Sequence, residues 1–420
     1  MLPTVVRVRQ AIKADPLGDI DAAVSGGVAK LDLASRTKPG DTVAVGCSSR
    51  GIANYGQVVA STVIALKEAG LKPFLFPAMG SHGAATAEGQ RQVLIGQGIE
   101  PGALDVTIES SLDFDQIADL DDLGIPVLID RHANGADHIV LINRVKSHTE
   151  FTHSFESGLM KMMAIGMGKE EGATLYHKAF MVHGYAPVIR AIADTILDSG
   201  KILFGVGIVE DGRAQTAAID VLAADELVAG EEALLRQSKA FEPRLPLDDI
   251  DVLLIDEMGK DISGSGFDTK VVGRINMPLV TEDPETPRIK RIVVCDLTAA
   301  SAGNADGVGS ADFITKRLYD KIDIKALYVN AIAGSEPEHA RIPMVMETAR
   351  EATAAAAGSV GLVATDDLRL VRIRNTLRLE EIDVSTACLT DLAGKPDVTV
   401  MGEPGALDFG ADDELLPFDG

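Results

Sequence analysis

The sequence predicts an α/β protein made of two lobes, each with a parallel-type sheet, and a cleft between them. Its 420 residues are enough for two separate hydrophobic cores. Short apolar runs alternate with segments of helical periodicity, and Gly-rich turns separate them, which is typical of strand–turn–helix units. The segment FEPRLPLDD then interrupts this periodicity with prolines and charges. We therefore predict one domain over residues 1–243 and a second over residues 244–420.

The first lobe begins with two strand–turn–helix units in succession. The strand TVAVG is followed by the turn CSSRG and a helical run near Tyr55 to Ala69. The strand PFLFPA is followed by the turn MGSHGAAT and the helical run AEGQRQVLIGQG. Such units form a parallel sheet whose loops gather at its carboxyl edge, where open α/β sheets bind ligands. Arg50 and His82 are therefore predicted to lie on one rim.

Further elements are predicted along the rest of the chain. In the first lobe they are the strand HIVLIN, the helix YAPVIRAIADTILDS, the strand KILFGVGIV and the helix ADELVAGEEALLRQSKAF. In the second lobe they are the strands DVLLID, RIVVCDLT and KALYVNAI, and an Ala-rich helix around Pro343 to Ala357. The active site is predicted in the cleft between the two lobes.

Composition excludes several classes of partner. The net charge is −24, from 63 acidic and 39 basic residues, and no basic patch interrupts it, so neither nucleic acid nor an anionic membrane is an expected partner. The three cysteines form no CxxC pair, which argues against a disulfide framework and favours a reducing cytoplasm. No apolar run reaches the ~20 residues that span a bilayer, and the N-terminus lacks signal-peptide features. We expect a soluble cytoplasmic protein.

Three histidines follow predicted strands. His82 lies in a glycine-flanked turn, where a ligand can approach the backbone and an imidazole can exchange a proton near neutral pH. A histidine that only packs within its loop is the alternative. His148 and His153 in KSHTEFTH are five residues apart, which is not the i, i+4 spacing of a helical metal pair. We predict that one of these two is catalytic and the other structural.

A lysine and a fourth histidine lie further along the same segment. Lys161 is in the Met-rich apolar run LMKMMAIGM, which favours partial burial of its side chain. A buried lysine is a competent nucleophile. His177 follows sixteen residues later in a predicted helix, where a packed histidine is the simpler interpretation.

Two turns carry candidate anion-binding residues. CSSRG offers the hydroxyls of Ser48 and Ser49, consecutive amides and the guanidinium of Arg50 near a helix start, which suits a phosphate or carboxylate. In the second lobe, MGKDISGSGFDTK follows a strand and carries Lys260, which would bind a substrate carboxylate if the lobes close over a cleft. A surface charge pair of Lys260 with Asp261 is the alternative.

Together these turns resemble the nickel-dependent lactate racemase family and its wider set of 2-hydroxyacid racemases and epimerases, over most of the chain. Members of this family have an Arg-containing turn after the first strand, a GTH turn, a histidine followed by SGG-x-K, and a histidine sixteen residues after that lysine. The corresponding segments here are SSRG, GSH, SGLMK after His148, and His177. The family's later PKD loop resembles GKD, which contains Lys260.

The resemblance implies an isomerase that racemises or epimerises a 2-hydroxyacid by reversible hydride transfer. Its cofactor would be the nickel pincer nucleotide, a pyridinium-3,5-bisthiocarboxylic acid mononucleotide with nickel. By this likeness Lys161 tethers the cofactor and His177 is the protein ligand to nickel, a donor set that suits planar Ni(II). His82 and His148 are the acid/base pair.

The same resemblance assigns the remaining contacts and partners. Ser48, Ser49 and Arg50 would bind the cofactor, and Arg50 and Lys260 would bind the substrate. The expected partners are a small-molecule 2-hydroxyacid and the enzymes that make and install the cofactor. The family gives no basis here for choosing lactate over a longer, more polar acid.

Three departures from the family pattern leave alternatives open. Cys47 stands where the family has an acidic residue three positions before its arginine, and Leu159 replaces a glycine beside Lys161. The interval from His148 to Lys161 is three residues longer than in the family, so His153 remains a possible substitute for His148. Two other classes are weighed: a nickel-independent enzyme for phosphorylated or hydroxyacid substrates, and a non-catalytic protein that binds a nucleotide or sugar acid.

Overall fold

The computed structural model describes residues 2–49, 51–278 and 280–418. They form two compact units: the first comprises Lys13–Glu242, and the second comprises Met1–Ile12 together with Pro243–Gly420. The change of unit after Glu242 lies next to the predicted boundary at residue 243. The N-terminal strand β1 (Val5–Gln10) differs from the prediction, because it pairs with strands of the C-terminal part of the chain.

The first unit is built on a mostly parallel sheet. Its strands are β2 (Thr42–Cys47), β3 (Lys72–Pro77), β4 (Phe114–Leu120), β5 (Ile125–Asp130), β6 (His138–Arg144), β7 (Ile202–Glu210) and β8 (Thr216–Ala223). The main sheet has the order β3-β2-β6-β7-β8, in which the first four strands are parallel and β8 is antiparallel to β7. Strands β4 and β5 form a separate antiparallel pair. The interior positions of β2 and β6 are buried, as expected for central strands covered on both faces.

Helices cover this sheet. They are α1 (Ile20–Ala29), α2 (Leu33–Arg36), α3 (Tyr55–Glu68), α4 (Ala87–Gly96), α5 (Pro101–Leu104), α6 (Arg131–Gly135), α7 (Leu159–Lys161), α8 (Lys169–His183), α9 (Tyr185–Asp198) and α10 (Leu227–Phe241). In α3 the residues Val59, Val63 and Leu66 recur at helical spacing and are buried. The strands and helices that were predicted for this part of the chain are present in the predicted order, whereas α1, β4, β5 and β8 were not predicted.

The second unit has an eight-stranded sheet within the described residues. Its further strands are β9 (Asp249–Ile255), β10 (Arg288–Val294), β11 (Phe313–Thr315), β12 (Met344–Met346), β13 (Leu370–Ile373), β14 (Glu381–Ser385) and β15 (Val398–Gly405). Their order is β12-β11-β10-β9-β13-β14-β1-β15, parallel from β12 to β13 and antiparallel beyond. The helices are α11 (Thr269–Val272), α12 (Lys316–Tyr319), α13 (Ile324–Gly334), α14 (Ala349–Gly358) and α15 (Leu389–Leu392). The mixed α/β class with largely parallel sheets is therefore confirmed.

One predicted element of the second unit is wrong. KALYVNAI forms the helix α13 rather than a strand. The carboxylate of Asp323 caps this helix by accepting the amide N–H groups of Lys325 and Ala326, and this local signal outweighs the β-branched and aromatic composition. The predicted Ala-rich helix exists but begins at Ala349, because residues 344–346 form β12. No helix among the described residues is both long and apolar enough to cross a membrane.

Candidate active site

Three neighbouring parallel strands of the first unit end at one edge of its sheet. These are β3, β2 and β6, which lie side by side. Because parallel strands share their carboxyl edge, the segments that follow them lie along that edge. Those segments carry four of the predicted site residues: His82, Ser48, Ser49 and His148.

The loop that carries His148 is closed at its base by backbone hydrogen bonds. Lys146 and Ser157 exchange two of them, with N···O distances of 2.9 and 3.1 Å. Inside the loop, the buried carboxylate of Glu156 accepts the amide N–H of His148 over 2.6 Å and that of His153 over 3.2 Å. One carboxylate therefore fixes the backbone at both candidate histidines.

The side chain of His148 is buried against Lys161. Its Nε2 is hydrogen-bonded to Nζ of Lys161, and the amide N–H of Glu150 donates to its Nδ1 over 3.1 Å. The centroid of its ring lies 4.7 Å from that of Phe151. His153, the alternative, is exposed to solvent. The structure thus brings His148 to the lysine that the sequence singles out.

Lys161 ends α7 and is followed at once by a π-helical turn, Met162–Gly166. Such turns occur frequently at functional sites. Leu159, which replaces the family's glycine, is fully buried over β7, where a Cβ on Gly205 would lie 2.6 Å from its Cδ1. Because Gly205 has no side chain, Leu159 can pack directly on the backbone of β7.

A buried carboxylate, Glu231, caps the helix that carries Lys161. Its Oε2 accepts the amide N–H of Met160 over 2.8 Å, and the amide of Leu159 is a second donor. Burial raises the pKa of Glu231 to about 7, against the lowering effect of these two donors. Its Oε1 is buried without a hydrogen-bond partner among the described residues. No local pattern points to this residue, because it belongs to an acidic helix whose other carboxylates are not buried.

Glu231→Gln should change how stability depends on pH. The folded protein keeps the carboxyl proton up to about pH 7, whereas the unfolded chain loses it near the ordinary value of 4.5. The stability that this group contributes is therefore fully present below about pH 4.5 and is lost as the pH rises through about 7. Urea unfolding should show the variant gaining up to ~3 kcal/mol relative to the parent protein between about pH 5 and about pH 8. Glu232→Gln, at the neighbouring position, is the control and should follow the parent; parallel curves for Glu231→Gln and the parent would contradict the assignment.

His177 lies on α8 in a state suited to metal binding. Its Nδ1 is 2.5 Å from the carbonyl oxygen of Ala173, one turn earlier, so Nδ1–H donates and Nε2 carries the lone pair. Burial lowers the pKa of His177; the Ala173 carbonyl and the charge of Glu150 act in the opposite direction, and the charge of Lys161 adds to the lowering. The imidazole is therefore neutral near pH 7, which is the form that ligates a metal.

A row of aromatic rings leads from His177 toward His148. The ring of Phe180 lies 5.3 Å from that of His177 and stacks on Tyr185 at 4.5 Å. Tyr185 stacks in turn on Phe151 at 4.9 Å, and Phe151 contacts His148. These contacts join α8, α9 and the His148 loop into one packed wall and hold the two histidines in a fixed relation.

The turn with His82 has an unusual backbone. Residues 83–85 have φ values of 63°, 54° and 49°. At Gly83 a Cβ would lie 2.4 Å from the amide nitrogen of Gln90, so the position requires glycine. The buried side-chain amide of Gln90 donates to the carbonyl of Gly80 over 2.8 Å. The conformation of the turn is thus fixed by α4, which positions His82 at the sheet edge.

A fully buried lysine that the sequence analysis did not identify, Lys169, lies at the start of α8. Its Nζ is 3.3 Å from Oδ2 of Asp130, and it donates to the carbonyl of Pro77 (2.9 Å) and to Oε1 of Gln90 (3.0 Å). Burial lowers the pKa of Lys169 and raises the pKa of Asp130, and their mutual attraction opposes both shifts. One side chain therefore connects α8, the end of β3 and α4. In the sequence it stands in KEE, which is typical of an exposed helix start.

Lys169→Met should destabilise the first unit strongly. The substitution leaves the carboxylate of Asp130 buried without its counter-charge, which typically costs about 3–5 kcal/mol. Urea unfolding would measure this loss, and Lys178→Met, on the exposed face of the same helix, is the matched control with little expected change. Adding Asp130→Asn should recover part of the loss. Equal stability of Lys169→Met and the control would show that the buried pair does not hold these elements together.

Comparison with known proteins finds a similar domain for part of the chain. Residues 4–187 match the model of the lactate racemase N-terminal domain. This part of the chain is similar to that domain. Two solved structures have a similar fold: the lactate racemase apoprotein from Thermoanaerobacterium thermosaccharolyticum and a protein from Thermotoga maritima. The first is 12% identical, covers 89% of this chain and 99% of its own, and has a TM-score of 0.53. The second is 16% identical, covers 78% of this chain and 84% of its own, and has a TM-score of 0.50.

These structural matches support the fold, and the domain match suggests a racemase-type isomerase that acts on a small molecule. No curated protein matches the chain at a significant level. His82, His148, Lys161 and His177 all fall inside the matched residues 4–187. Lys260 lies outside them.

The chain is packed tightly at the end of β2 and in the turn that follows it. Cys47 is fully buried, and burial raises its pKa to about 12, so it is a core residue and not a nucleophile. The amide N–H of Ser48 donates to the hydroxyl of Tyr55 over 2.6 Å. The predicted helix is present, but it begins at Tyr55. Ser48 and Ser49 therefore do not lie at its N-terminus, where the sequence analysis expected an anion to bind. Arg50 lies outside the described residues, and its roles in cofactor and substrate binding stay predictions.

Lys260 follows β9 in the second unit, as predicted. Its Nζ donates to Oδ2 of Asp306 over 3.1 Å and to the carbonyl of Gly264. Asp261, its alternative partner in the sequence analysis, accepts a hydrogen bond from the hydroxyl of Thr298. The substrate contact predicted for Lys260 stays a prediction, and any ligand carboxylate would compete with Asp306 for this ammonium group.

Proposed function

We propose that the chain is a racemase or epimerase of a 2-hydroxyacid that works by reversible hydride transfer with a nickel pincer nucleotide. The observation that carries this proposal is the direct contact between Nζ of Lys161 and Nε2 of His148. It joins a lysine suited to covalent attachment and a histidine suited to proton transfer within the residues that match the lactate racemase N-terminal domain. A domain that only binds a nucleotide has no need of this pair.

The residues fit the cofactor in two respects. Lys161, at the end of α7, would hold it through a covalent bond at Nζ, and His177 would bind its nickel through Nε2, because Nδ1 is engaged with the carbonyl of Ala173. When bound, the cofactor would supply a reversible hydride acceptor for carbon 2 of the substrate. Ser48, Ser49 and Arg50 are retained as proposed contacts to it. Enzymes that make and install the cofactor are the proposed protein partners.

His148 and Lys161 are placed to act on each other. Nε2 of His148 is hydrogen-bonded to Nζ of Lys161, and the amide N–H of Glu150 donates to Nδ1. Covalent attachment of the cofactor needs Lys161 as the free amine, which is the nucleophilic form of lysine. To take a proton from the substrate hydroxyl, Nε2 of His148 needs its lone pair, so the ring proton would move to Nδ1 and the hydrogen bond from Glu150 would be given up.

Racemisation requires proton transfer at the hydroxyl of either enantiomer. His148 would take the proton from one enantiomer, and His82, on the turn after β3, would take it from the other. Both follow strands of the same carboxyl edge. Arg50 and Lys260 are the proposed contacts to the substrate carboxylate, since a guanidinium and an ammonium group pair well with that group.

The test is interconversion of enantiomers with isotope retention. Single enantiomers of 2-hydroxyacids that carry deuterium at carbon 2, from lactate to longer polar acids, would be incubated with protein produced beside the cofactor-making enzymes. The proposal expects the opposite enantiomer with its deuterium largely retained and a slowed rate, because the hydrogen leaves and returns as hydride. Interconversion with complete loss of deuterium to water would exclude hydride transfer, and no interconversion of any acid would exclude the racemase.

A further inference from the structure

The second unit contains a buried cluster of metal-ligand side chains that the sequence analysis did not single out. Asp306, Glu336 and His339 each offer one ligand atom, and these atoms all lie within 4.8 Å of one another. These residues are 2%, 5% and 0% exposed. Groups of this kind are costly to bury unless they have strong partners, so the cluster calls for a physical reason.

The orientation of His339 suits a metal ligand. Its Nε2 is 2.8 Å from the carbonyl oxygen of Ile275, and a carbonyl only accepts, so Nε2 carries the proton. The other nitrogen, Nδ1, faces Oε2 of Glu336 at 2.9 Å. Histidines that bind metals commonly have this arrangement, with one ring nitrogen held by a backbone carbonyl and the other directed at the cation.

Asp306 supplies a second, independent observation. Its Oδ2 accepts hydrogen bonds from Nζ of Lys260 (3.1 Å) and from the side-chain amide of Asn330 (3.0 Å). Its Oδ1 is buried and has no hydrogen-bond partner among the described residues. A buried carboxylate oxygen without a donor is costly, and a bound cation would satisfy it.

The backbone around the cluster is packed closely enough to hold its ligands in place. A Cβ on Gly309 would lie 2.1 Å from the carbonyl oxygen of Glu338. At Gly307, which has a φ of 91°, a Cβ would lie 1.9 Å from the carbonyl oxygen of Ser265. The loop with Asp306 therefore touches the 336–340 turn backbone to backbone, which leaves both sets of ligands little freedom to move.

We propose that Asp306, Glu336 and His339 bind a divalent first-row transition cation, separately from the nickel ligand proposed at His177. One imidazole nitrogen and two carboxylate oxygens suit Zn²⁺ or Mn²⁺, whereas Mg²⁺ prefers an all-oxygen set. The bound cation ties the loop of Asp306 to the turn of Glu336 and His339.

The test measures zinc in protein whose proposed nickel ligand has been removed. All variants carry His177→Gln, so the outcome does not depend on the racemase proposal. After loading with Zn²⁺ and dialysis, zinc per chain would be measured by mass spectrometry of the metal, and unfolding would be followed with and without Zn²⁺. The background protein should retain about one equivalent more than versions with His339→Gln or Glu336→Gln, and zinc should raise the melting temperature of the background alone. His132→Gln, which removes a histidine of the first unit, is the matched control and should behave as the background.

Two results would overturn the proposal. One is equal zinc content in the background, His339→Gln and Glu336→Gln proteins. The other is no retained zinc in the folded background, which would make the cluster an ion pair of His339 with Glu336 only. If a variant does not fold, crystals of the background soaked in Zn²⁺ decide the matter: an anomalous peak among the three side chains supports the site, and no peak there excludes it.

Discussion

His177→Gln is expected to abolish both nickel binding and racemisation. The proposed ligand atom is Nε2, left with its lone pair because Nδ1 donates to the carbonyl of Ala173. Glutamine keeps some polarity but has no imidazole nitrogen, so the metal loses its protein ligand. We expect nickel per chain to fall to near zero and turnover to fall by on the order of 10³-fold or more, because the hydride acceptor is lost.

The control for this substitution lies on the same helix. His183→Gln, at the end of α8, removes an imidazole that the proposal does not use and should keep nickel and turnover near the parent values. Folding of both variants is checked by circular dichroism and thermal unfolding. Full nickel content in folded His177→Gln would mean that another residue is the ligand. The role that the family resemblance assigns to His177 would then be wrong.

His148→Gln is expected to remove proton transfer while leaving the cofactor in place. His148 is the buried histidine in contact with Lys161, and its loop backbone is held by Glu156 independently of the ring. A positioned acid/base group contributes typically 10²–10⁴-fold, so kcat should fall by about that factor with nickel content unchanged. Measuring kcat and KM separately distinguishes this from a binding defect, which would raise KM.

The matched control resolves the ambiguity that the sequence left open. His153→Gln substitutes the second histidine of KSHTEFTH, which is exposed, and should change kcat by no more than a few-fold. If His153→Gln loses activity and His148→Gln keeps it, the roles are reversed. In that case the contact of His148 with Lys161 would be structural.

Much of the first unit could be predicted because its signals are local. Apolar runs predict β2, β3 and β6, and the succession of strand–turn–helix units places the turns after β2 and β3 at one edge. The pairing of β6 beside β2, which the sequence did not show, brings the loop of His148 to the same edge. The roles of Lys161 and His177 were assigned from the family resemblance. In the structure Lys161 ends α7, His177 lies on α8, and the π turn lies between the two helices.

The features that the sequence did not predict depend on contacts between distant residues. Lys169 is buried because Asp130 and Gln90 surround it, and Glu231 is buried because it caps a helix some seventy residues earlier. Neither has a local pattern that differs from an exposed charged residue on a helix. The strand predicted for KALYVNAI was wrong for the opposite reason, since its composition favours a strand although it forms a helix that begins at the Asp323 cap.

The pairing of β1 also depends on contacts between residues that are distant in sequence, and it affects the division into domains. The residue pattern of VVRVRQ is that of any short strand and does not indicate its partners. These are β14 and β15, which lie at the other end of the chain. Periodicity does not show which strands pair with each other. Dividing the sequence at a single position therefore assigns β1 to the lobe that is nearest to it in sequence. The change of unit after Glu242, in contrast, falls in a segment that contains prolines and charges.

The central claim is that Lys161 and His177 hold a nickel pincer nucleotide. The most direct measurement is the mass of the intact protein, with its nickel content, after production beside the cofactor-making enzymes. The proposal predicts an added mass that maps to the peptide containing Lys161, together with about one nickel per chain that disappears in His177→Gln. An unmodified mass with no nickel, in protein from cells where a known member of the family is fully loaded, would contradict it.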